Sequence, residues 1–466
     1  MRLTIERMRT MVLVAGVLLV AALAVFLAIG KWKNPFNRRD IPRRLGIDIQ
    51  QEANGFTYTQ AHGGHTLFKI HASKVVQYKE GNAQLHDVKI ELYGTDGRSV
   101  DRIEGSEFDY DSKAGLAKAA GPVEITLMRP GDALAIAPKA SVGQSAAKAQ
   151  KDGTLATAAQ SASRGAIDLK TSGLVFDEKS GVASTSQRLE FAMAQASGSA
   201  VGATYDSQAG RLVLASAVEL NAHRGADPVH LQAQHAEFDR GDEVCQLIAA
   251  STRYRGGDAR AAKATVLFRD DGSASGLDAT EGFVLTTVTG GRLAAPTGTL
   301  DFDPRNQPRR GHLEGGVTID SDHKGRKVHG TSPSMELEFA GGGVLQSAHL
   351  ERGVRIASDE EAGLPGRLVR THRVWESPVA DLHFRNNGRG QVGLDSIHGT
   401  GGVVVEGESQ RGSGSVMPSR MTADDVTGMF GSDSALTAIT GVGHASIAQT
   451  TAAGTRQTTS GDRVEA

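Results

Sequence analysis

The sequence predicts an all-β protein, in which an elongated, repeat-built sheet of antiparallel hairpins follows one apolar N-terminal segment. Three observations predict this class. Apolar residues alternate with polar ones in Val88–Leu92, Val123–Leu127 and Met335–Phe339, the period of half-buried strands. Glycine occurs 57 times in 466 residues while aromatic residues make up only 5%, which is typical of many short strands and turns. A fixed spacing of aromatic, glycine and apolar residues also recurs along the chain.

Residues 1–30 are predicted to be a single transmembrane helix. The stretch Thr10–Gly30 has no charged residue, and its 21 residues at about 1.5 Å each reach about 31 Å, the thickness of a bilayer core. Ala28 and Gly30 would also suit cleavage of a signal peptide, but a signal core is normally only ~7–15 residues long. We therefore expect a retained anchor.

Residues 31–48 form a basic linker next to the predicted anchor. Three arginines precede the apolar stretch and six basic residues follow it, namely Lys31, Lys33, Arg38, Arg39, Arg43 and Arg44. Counting positive charges alone favours a cytoplasmic C-terminal part.

The remainder divides into three parts. Residues 49–130 alternate as strands do, and residues 166–466 carry the repeats. Between them, 131–165 is rich in alanine and poor in large apolar side chains, so we expect a low-complexity insertion outside the sheet.

Four copies of the repeat begin at Phe108, Phe268, Phe302 and Phe339. Each has an apolar residue 15 positions later, preceded by a glycine, and weaker copies begin at Phe176, Tyr205, Phe238, Phe384 and Phe430. The unit predicts a strand ending in the aromatic residue, a polar turn, a return strand and a glycine break. Such units must stack to bury their apolar faces, as a jelly roll, curled sheet or solenoid. With one layer of about 4.8 Å per repeat, nine repeats would span ~45 Å.

Composition and motifs argue against several functions. A net charge of −2 does not suit a nucleic-acid binder, and a single cysteine, Cys245, excludes an intramolecular disulfide and predicts a buried, inert thiol. His62, His65 and His71 lie around a predicted hairpin tip, so we expect no metal site. Gly388–Gly393 matches a dinucleotide fingerprint by letter, but strand-like sequence follows it. We expect no cofactor.

Carboxylate pairs such as Asp101 and Glu104, or Glu336 and Glu338, could suggest glycan hydrolysis or lyase chemistry on a β-solenoid. Residues two apart on a strand share a face, but the face of Glu336 and Glu338 alternates with Leu337 and should be the solvated one. We therefore predict no catalytic residue and no enzymatic activity.

Four segments, Ile49–Tyr58, Thr66–Lys74, Leu85–Gly97 and Ile103–Tyr110, resemble the LptC family of periplasmic lipopolysaccharide-transport proteins. The repeat that begins at Phe108 and its successors resemble the related OstA/LptA domain. The long C-terminal array and the alanine-rich insertion depart from the family, whose members are usually much shorter.

The resemblance implies an inner-membrane, single-pass protein with its β-body in the periplasm of a two-membrane bacterium. It also implies that the protein accepts lipopolysaccharide from an ABC-type, ATP-driven extractor and passes it toward the outer membrane. Other OstA/LptA-like bridge proteins would be partners through edge-strand pairing.

A lipid crossing an aqueous compartment needs a dry path, and inward-facing residues of the predicted strands are candidates to line it. They are Phe56, Tyr58, Phe68, Ile70, Val88, Ile90, Leu92, Phe108, Tyr110, Val123, Ile125 and Leu127. The same residues could simply pack as core, as in a membrane-tethered structural or adhesive β-solenoid. A third alternative is a polysaccharide-active β-helix enzyme. A lipid bridge needs an open trough with apolar walls, a structural solenoid needs a closed, filled core, and an enzyme needs convergent carboxylates in an outer cleft.

Overall fold

The computed structural model describes residues 49–466 except 79–80, 95–99, 129–165, 194–195, 225–226, 255, 289, 324, 363–367, 387–391, 433–434 and 452–453. The predicted anchor, basic linker and alanine-rich insertion thus lie outside the described residues. The chain divides into two units, Met1–Gln50 and Gln51–Ala466, and the second contains the sheet. No helix in the described part is long and apolar enough to cross a bilayer.

The described residues are all-β, as predicted, and form 27 strands. The first eleven are β1 (Ile49–His62), β2 (His65–Tyr78), β3 (Asn82–Tyr93), β4 (Val100–Asp111), β5 (Leu116–Ala119), β6 (Pro122–Leu127), β7 (Ile167–Ser172), β8 (Val175–Asp177), β9 (Val182–Ala192), β10 (Ala196–Asp206) and β11 (Arg211–Arg224). The next eight are β12 (Asp227–Ala233), β13 (His235–Asp239), β14 (Val244–Tyr254), β15 (Gly257–Phe268), β16 (Ala274–Thr280), β17 (Phe283–Thr287), β18 (Arg292–Ala295) and β19 (Thr297–Phe302). The last eight are β20 (Pro308–His323), β21 (Arg326–Ala340), β22 (Val344–Ala362), β23 (Val369–Asn386), β24 (Val392–Arg411), β25 (Met417–Phe430), β26 (Leu436–Thr450) and β27 (Arg456–Glu465).

The strands form one antiparallel meander. Each passage of the chain across the sheet pairs with the passages before and after it, from β1 with β2, β2 with β3 and β3 with β4 to β26 with β27. Five passages of the chain across the sheet consist of two short strands each (β5/β6, β7/β8, β12/β13, β16/β17 and β18/β19), so the 27 strands make 22 crossings. At about 4.8 Å per step the crossings span on the order of 100 Å along the sheet.

The predicted repeat is visible in the crossings, but each repeat adds two of them rather than one layer. Phe268 ends β15, Phe302 ends β19 and Phe430 ends β25, and the chain turns directly after each. The repeat aromatics therefore lie on every second crossing, all at the same end of the crossings, which we call the aromatic end. The far end, where β1 turns into β2 and β20 into β21, is the opposite end.

The long crossings β20 to β26 each bend near the middle, where the pairing register slips. In β22 the register slips between Glu351 and Val354, and Arg352 and Gly353 take φ values of 69° and 106°. The slip in β20 follows Glu314, where Gly316 has φ 106°. The repeat glycine in these crossings is thus a bulge within a continuous strand and not the break between strands that the pattern predicted.

The bend folds the two halves of the sheet over one another, and their inner faces enclose one apolar core. T-shaped packing of Phe68, near the opposite end of β2, on Phe176 in β8, near the aromatic end, shows the two halves in contact, with ring centroids 5.1 Å apart. The bend therefore explains why the sheet has one core: the inner residues of one half pack against those of the other.

Candidate functional site

The interior of the bent sheet has a closed part and a partly open part, which differ in the exposed fraction of the repeat aromatics. Phe108 and Phe176 are 0% exposed and Tyr205 is 3% exposed. The six aromatics that follow are all half-buried: Phe238, Phe268, Phe302, Phe339, Phe384 and Phe430. We call the interior of β2–β11 the closed segment and the inner face of β12–β26 the open groove.

The floor of the open groove lies at the bends and is fully covered. Its apolar residues are at most 2% exposed: Leu313, Val317, Leu350, Val354, Ala380 and Val426. Toward the opposite end Trp375 and Met421 are buried, but seven inner residues are again half-buried: Leu231, Leu285, Leu293, Ile319, Ile356, Val405 and Ile447. The groove therefore has a dry floor and two apolar walls that are partly accessible to solvent.

Trp375 in β23 narrows the open groove. Its side chain, 7% exposed, extends from the half of β23 near the opposite end, and its indole Nε1 donates to Ser377 Oγ at 3.2 Å. The ring lies on Gly399 of β24, where an added Cβ would come within 2.8 Å of it. A small residue beneath the indole is therefore required for the ring to reach across the groove.

In the closed segment, polar contacts join the aromatic end of some crossings to the opposite end of β4, across the opening between the two halves of the bent sheet. We call this opening the mouth. Arg240, in the turn after β13, donates from Nη1 and Nη2 to the two carboxylate oxygens of Asp101 in β4, each at 2.9 Å. Tyr205 at the end of β10 donates its hydroxyl to Asp101 and accepts from Arg240. Arg240 also donates to the carbonyl of Met128 at 2.6 Å. We call Asp101, Tyr205 and Arg240 the clamp.

The clamp is almost completely shielded from water, since the side chains of Arg240 and Asp101 are 7% and 1% exposed. Burial raises the pKa of the Tyr205 hydroxyl, and the charge of Asp101 raises it further. Tyr205 thus remains a hydrogen-bond donor over the whole physiological pH range.

Two further contacts cross the same mouth. Gln208 Nε2, in the turn between β10 and β11, donates to the carbonyl of Tyr93 at the end of β3, at 3.2 Å. A hydrogen bond to Glu178, in the turn between β8 and β9, raises the pKa of Tyr58. Tyr110 donates to the same carboxylate at 2.6 Å, and burial followed by this bond raises its pKa. Closure therefore extends along much of the N-terminal part of the sheet.

The residues predicted to line a lipid path lie in this closed segment or in β1, which pairs with β2. Nine of them are buried: Phe68, Ile70, Val88, Ile90, Leu92, Phe108, Val123, Ile125 and Leu127. Phe56, Tyr58 and Tyr110 are half-buried and pack against the same core. A cavity of about 20 Å³, bounded among others by Ile125 and Leu127, has room for one water molecule and none for an acyl chain. Contact of these residues with a lipid stays a prediction.

Sequence reasoning missed the clamp and the walls of the open groove. Alternation puts Asp101 on the same strand face as Ile103, so an acid at an inward position was a readable signal. No sequence signal distinguished the half-buried aromatics from the buried ones, because a phenylalanine at the end of a strand has the same pattern in the closed segment and in the open groove.

The remaining chemical groups have simple environments. Cys245 pairs with Phe238 across β13 and β14, and burial raises the pKa of its thiol to about 12, consistent with the predicted inert cysteine. On the outer face His349 Nδ1 lies 2.6 Å from Asp381 Oδ1, and this hydrogen bond raises the pKa of the imidazole. Among the described residues no group of three or more His, Cys, Asp or Glu could hold a metal ion.

No family model and no curated protein matches the chain.

Proposed function

We propose that the chain is an inner-membrane-anchored periplasmic bridge component that carries lipopolysaccharide along its open groove toward the outer membrane. The observation that supports this proposal is the set of half-buried apolar side chains along both walls of the inner face of β12–β26, with a phenylalanine on every second crossing. An ABC-type extractor, other OstA/LptA-like bridge proteins and the membrane itself, reached by residues 1–30, are the partners this role requires. The role needs no catalytic residue and no cofactor.

The energetic argument concerns acyl chains in water. Each methylene group removed from water contributes about 0.8 kcal/mol, so one long chain contributes several kcal/mol on entering an apolar groove. β12 to β26 cover twelve crossings, on the order of 50 Å of groove at about 4.8 Å per step. The half-buried walls offer apolar surface to a ligand without unfolding any strand.

The composition of the walls favours acyl chains over sugars. Sugar-binding sites present aromatic faces together with polar side chains, whereas the half-buried residues of the wall that faces the phenylalanines are leucine, isoleucine and valine, and its one tryptophan, Trp375, is buried. The open groove thus suits the lipid moiety of a glycolipid, with its sugars outside the mouth.

The test is site-specific photocrosslinking from the open groove of the full chain to lipopolysaccharide. A photoreactive residue at Phe339 or Phe384 should form lipopolysaccharide adducts. At the neighbouring outward positions Glu338 and His383, which are exposed, it should form none. Equal adduct yields at inward and outward positions would contradict the proposal.

A structural or adhesive β-solenoid is the second candidate, because the closed segment has a filled core and a bridged mouth. This candidate predicts no adducts at Phe339 or Phe384 in a folded, membrane-inserted protein. A polysaccharide-active enzyme would require convergent carboxylates on the outer surface. On that surface the carboxylate of Glu336 lies 3.8 Å from a ring nitrogen of His312, not beside a second catalytic carboxylate, and both side chains are exposed.

A further inference from the structure

The clamp connects parts of the sheet that the strand pairing does not bring together. β4, which carries Asp101, pairs with β3, β5 and β6, whereas β10, which carries Tyr205, pairs with β9 and β11. Asp101 and Arg240 are 139 residues apart in the chain. Closure of the mouth, and not the register of the sheet, therefore forms this contact.

The chemistry of the clamp differs from that of its surroundings. Leu92, beside Asp101 in the strand pair, is 0% exposed, and the interior beneath the clamp is apolar. Apolar residues of similar volume commonly stabilise such a position as well as a buried ion pair does, because burying two charges costs several kcal/mol of desolvation. A directional, bidentate contact instead specifies one closed geometry, which is lost as a unit when the contact separates.

The position of the clamp is the second observation. Tyr205 is the last fully buried repeat aromatic, and Arg240 follows Phe238, the first half-buried one, by two residues. The clamp therefore lies where the closed segment meets the open groove. Arg240 also holds the carbonyl of Met128, the last described residue before the alanine-rich insertion.

We propose that the clamp is a latch, and that its separation opens the closed segment so that the open groove extends toward the N-terminal crossings and admits acyl chains there. This inference rests on the proposed function for its ligand but makes a separate statement about the protein. Residues such as Phe108 contact lipid only in the unlatched state, whereas Phe384 is accessible in both states.

The first experiment measures the latch without lipid. In the full chain with Cys245→Ala, cysteines replace Tyr93 and Ala209, one on each side of the mouth, and carry spin labels; we call these two sides the lips. Gln208 is left in place, so that its contact with the Tyr93 carbonyl is kept. We expect one short distance between the labels, and a second, longer population when Asp101→Asn removes the carboxylate. An unchanged distance distribution in a folded Asp101→Asn protein would overturn the proposal.

The second experiment adds lipopolysaccharide. A short bis-maleimide joins the same two cysteines, and a photoreactive residue stands at Phe108 or at Phe384. Joining the lips should reduce Phe108 adducts about tenfold, as expected for loss of the open population, and should leave Phe384 adducts unchanged.

Its outcomes separate the two proposals. Phe108 adducts that persist with joined lips, or that are absent from every variant while Phe384 adducts remain, overturn the latch and leave the proposed function standing. Absence of Phe384 adducts, with the spin-label distances responding to Asp101→Asn, overturns the proposed function and supports the latch as a motion of the protein.

Discussion

Truncation of two equivalent repeat aromatics gives the sharpest test of the division into closed segment and open groove. Phe108 is 0% exposed, so Phe108→Ala should cost about 3–5 kcal/mol in transfer and cavity terms. Phe384 occupies the same position of its repeat but is half-buried, so Phe384→Ala should cost roughly half as much, about 1–2 kcal/mol. The two substitutions remove the same atoms, and the two sites differ in how deeply the phenyl ring is buried.

A local measurement is needed, because a long array of repeats does not unfold in a single two-state step. Hydrogen exchange followed by mass spectrometry reports the opening of each hairpin separately. Since about 1.4 kcal/mol corresponds to a factor of ten, Phe108→Ala should accelerate exchange around β4 and β5 at least 100-fold. Phe384→Ala should accelerate exchange around β23 and β24 only about tenfold.

Exposed neighbours provide the controls. Asp109→Ala and His383→Ala alter outward side chains on the same two strands and should change exchange less than threefold, about 0.5 kcal/mol. Equal costs for the two phenylalanines would show that the open groove is as tightly packed as the closed segment. The reasoning that assigns a ligand to the groove would then fail.

Three further predictions concern the strand faces, the bend and the outer surface. Ile90→Asp buries a carboxylate at a fully covered position and should cost roughly 3 kcal/mol or more, whereas Lys89→Asp loses the half-buried outward ion pair with Glu91, worth about 1 kcal/mol. Hydrogen exchange of β3 at increasing urea concentration compares the two variants, and equal tolerance would contradict the assigned faces. Gly353→Ala forces a side chain to φ 106° and should cost about 1–3 kcal/mol, while Gly121→Ala, where the added Cβ meets only ordinary contacts, should be nearly neutral in the same assay. Because the folded pKa of His349 is raised, its contribution to stability is complete below the unfolded pKa of about 6.5 and is lost as pH rises through the folded pKa. From about pH 5.5 to 8.5, the protection of β22 and β23 against hydrogen exchange, corrected for the intrinsic exchange rate, should fall by more in the wild type than in His349→Gln. Identical pH dependence of the two proteins would refute the assignment.

Local pattern was sufficient to predict the strands. Alternation at Val88–Leu92 and Met335–Phe339 identified their buried faces, since the period of two along a strand is a property of the backbone. The spacing between Phe339 and Val354 likewise identified the hairpin turn and the glycine that follows it. These features depend on residues close in the chain.

The number of crossings per repeat was not readable in the same way. The glycine before Val354 has the signature of a break, and only the pairing of β22 with β21 and β23 shows that the strand continues through it. A bulge and a turn both use a residue with positive φ, so the partner strand decides between them.

The sequence alone determined an all-β chain of antiparallel hairpins with a recurring aromatic residue, because turns and strand faces are encoded within a few residues. Only the tertiary structure decided that Phe108 is sealed while Phe384 borders a groove, and that Asp101 meets Arg240 across 139 residues. Burial depends on which distant crossing lies opposite, and that follows from the bend and the closure of the sheet, which no local pattern contains.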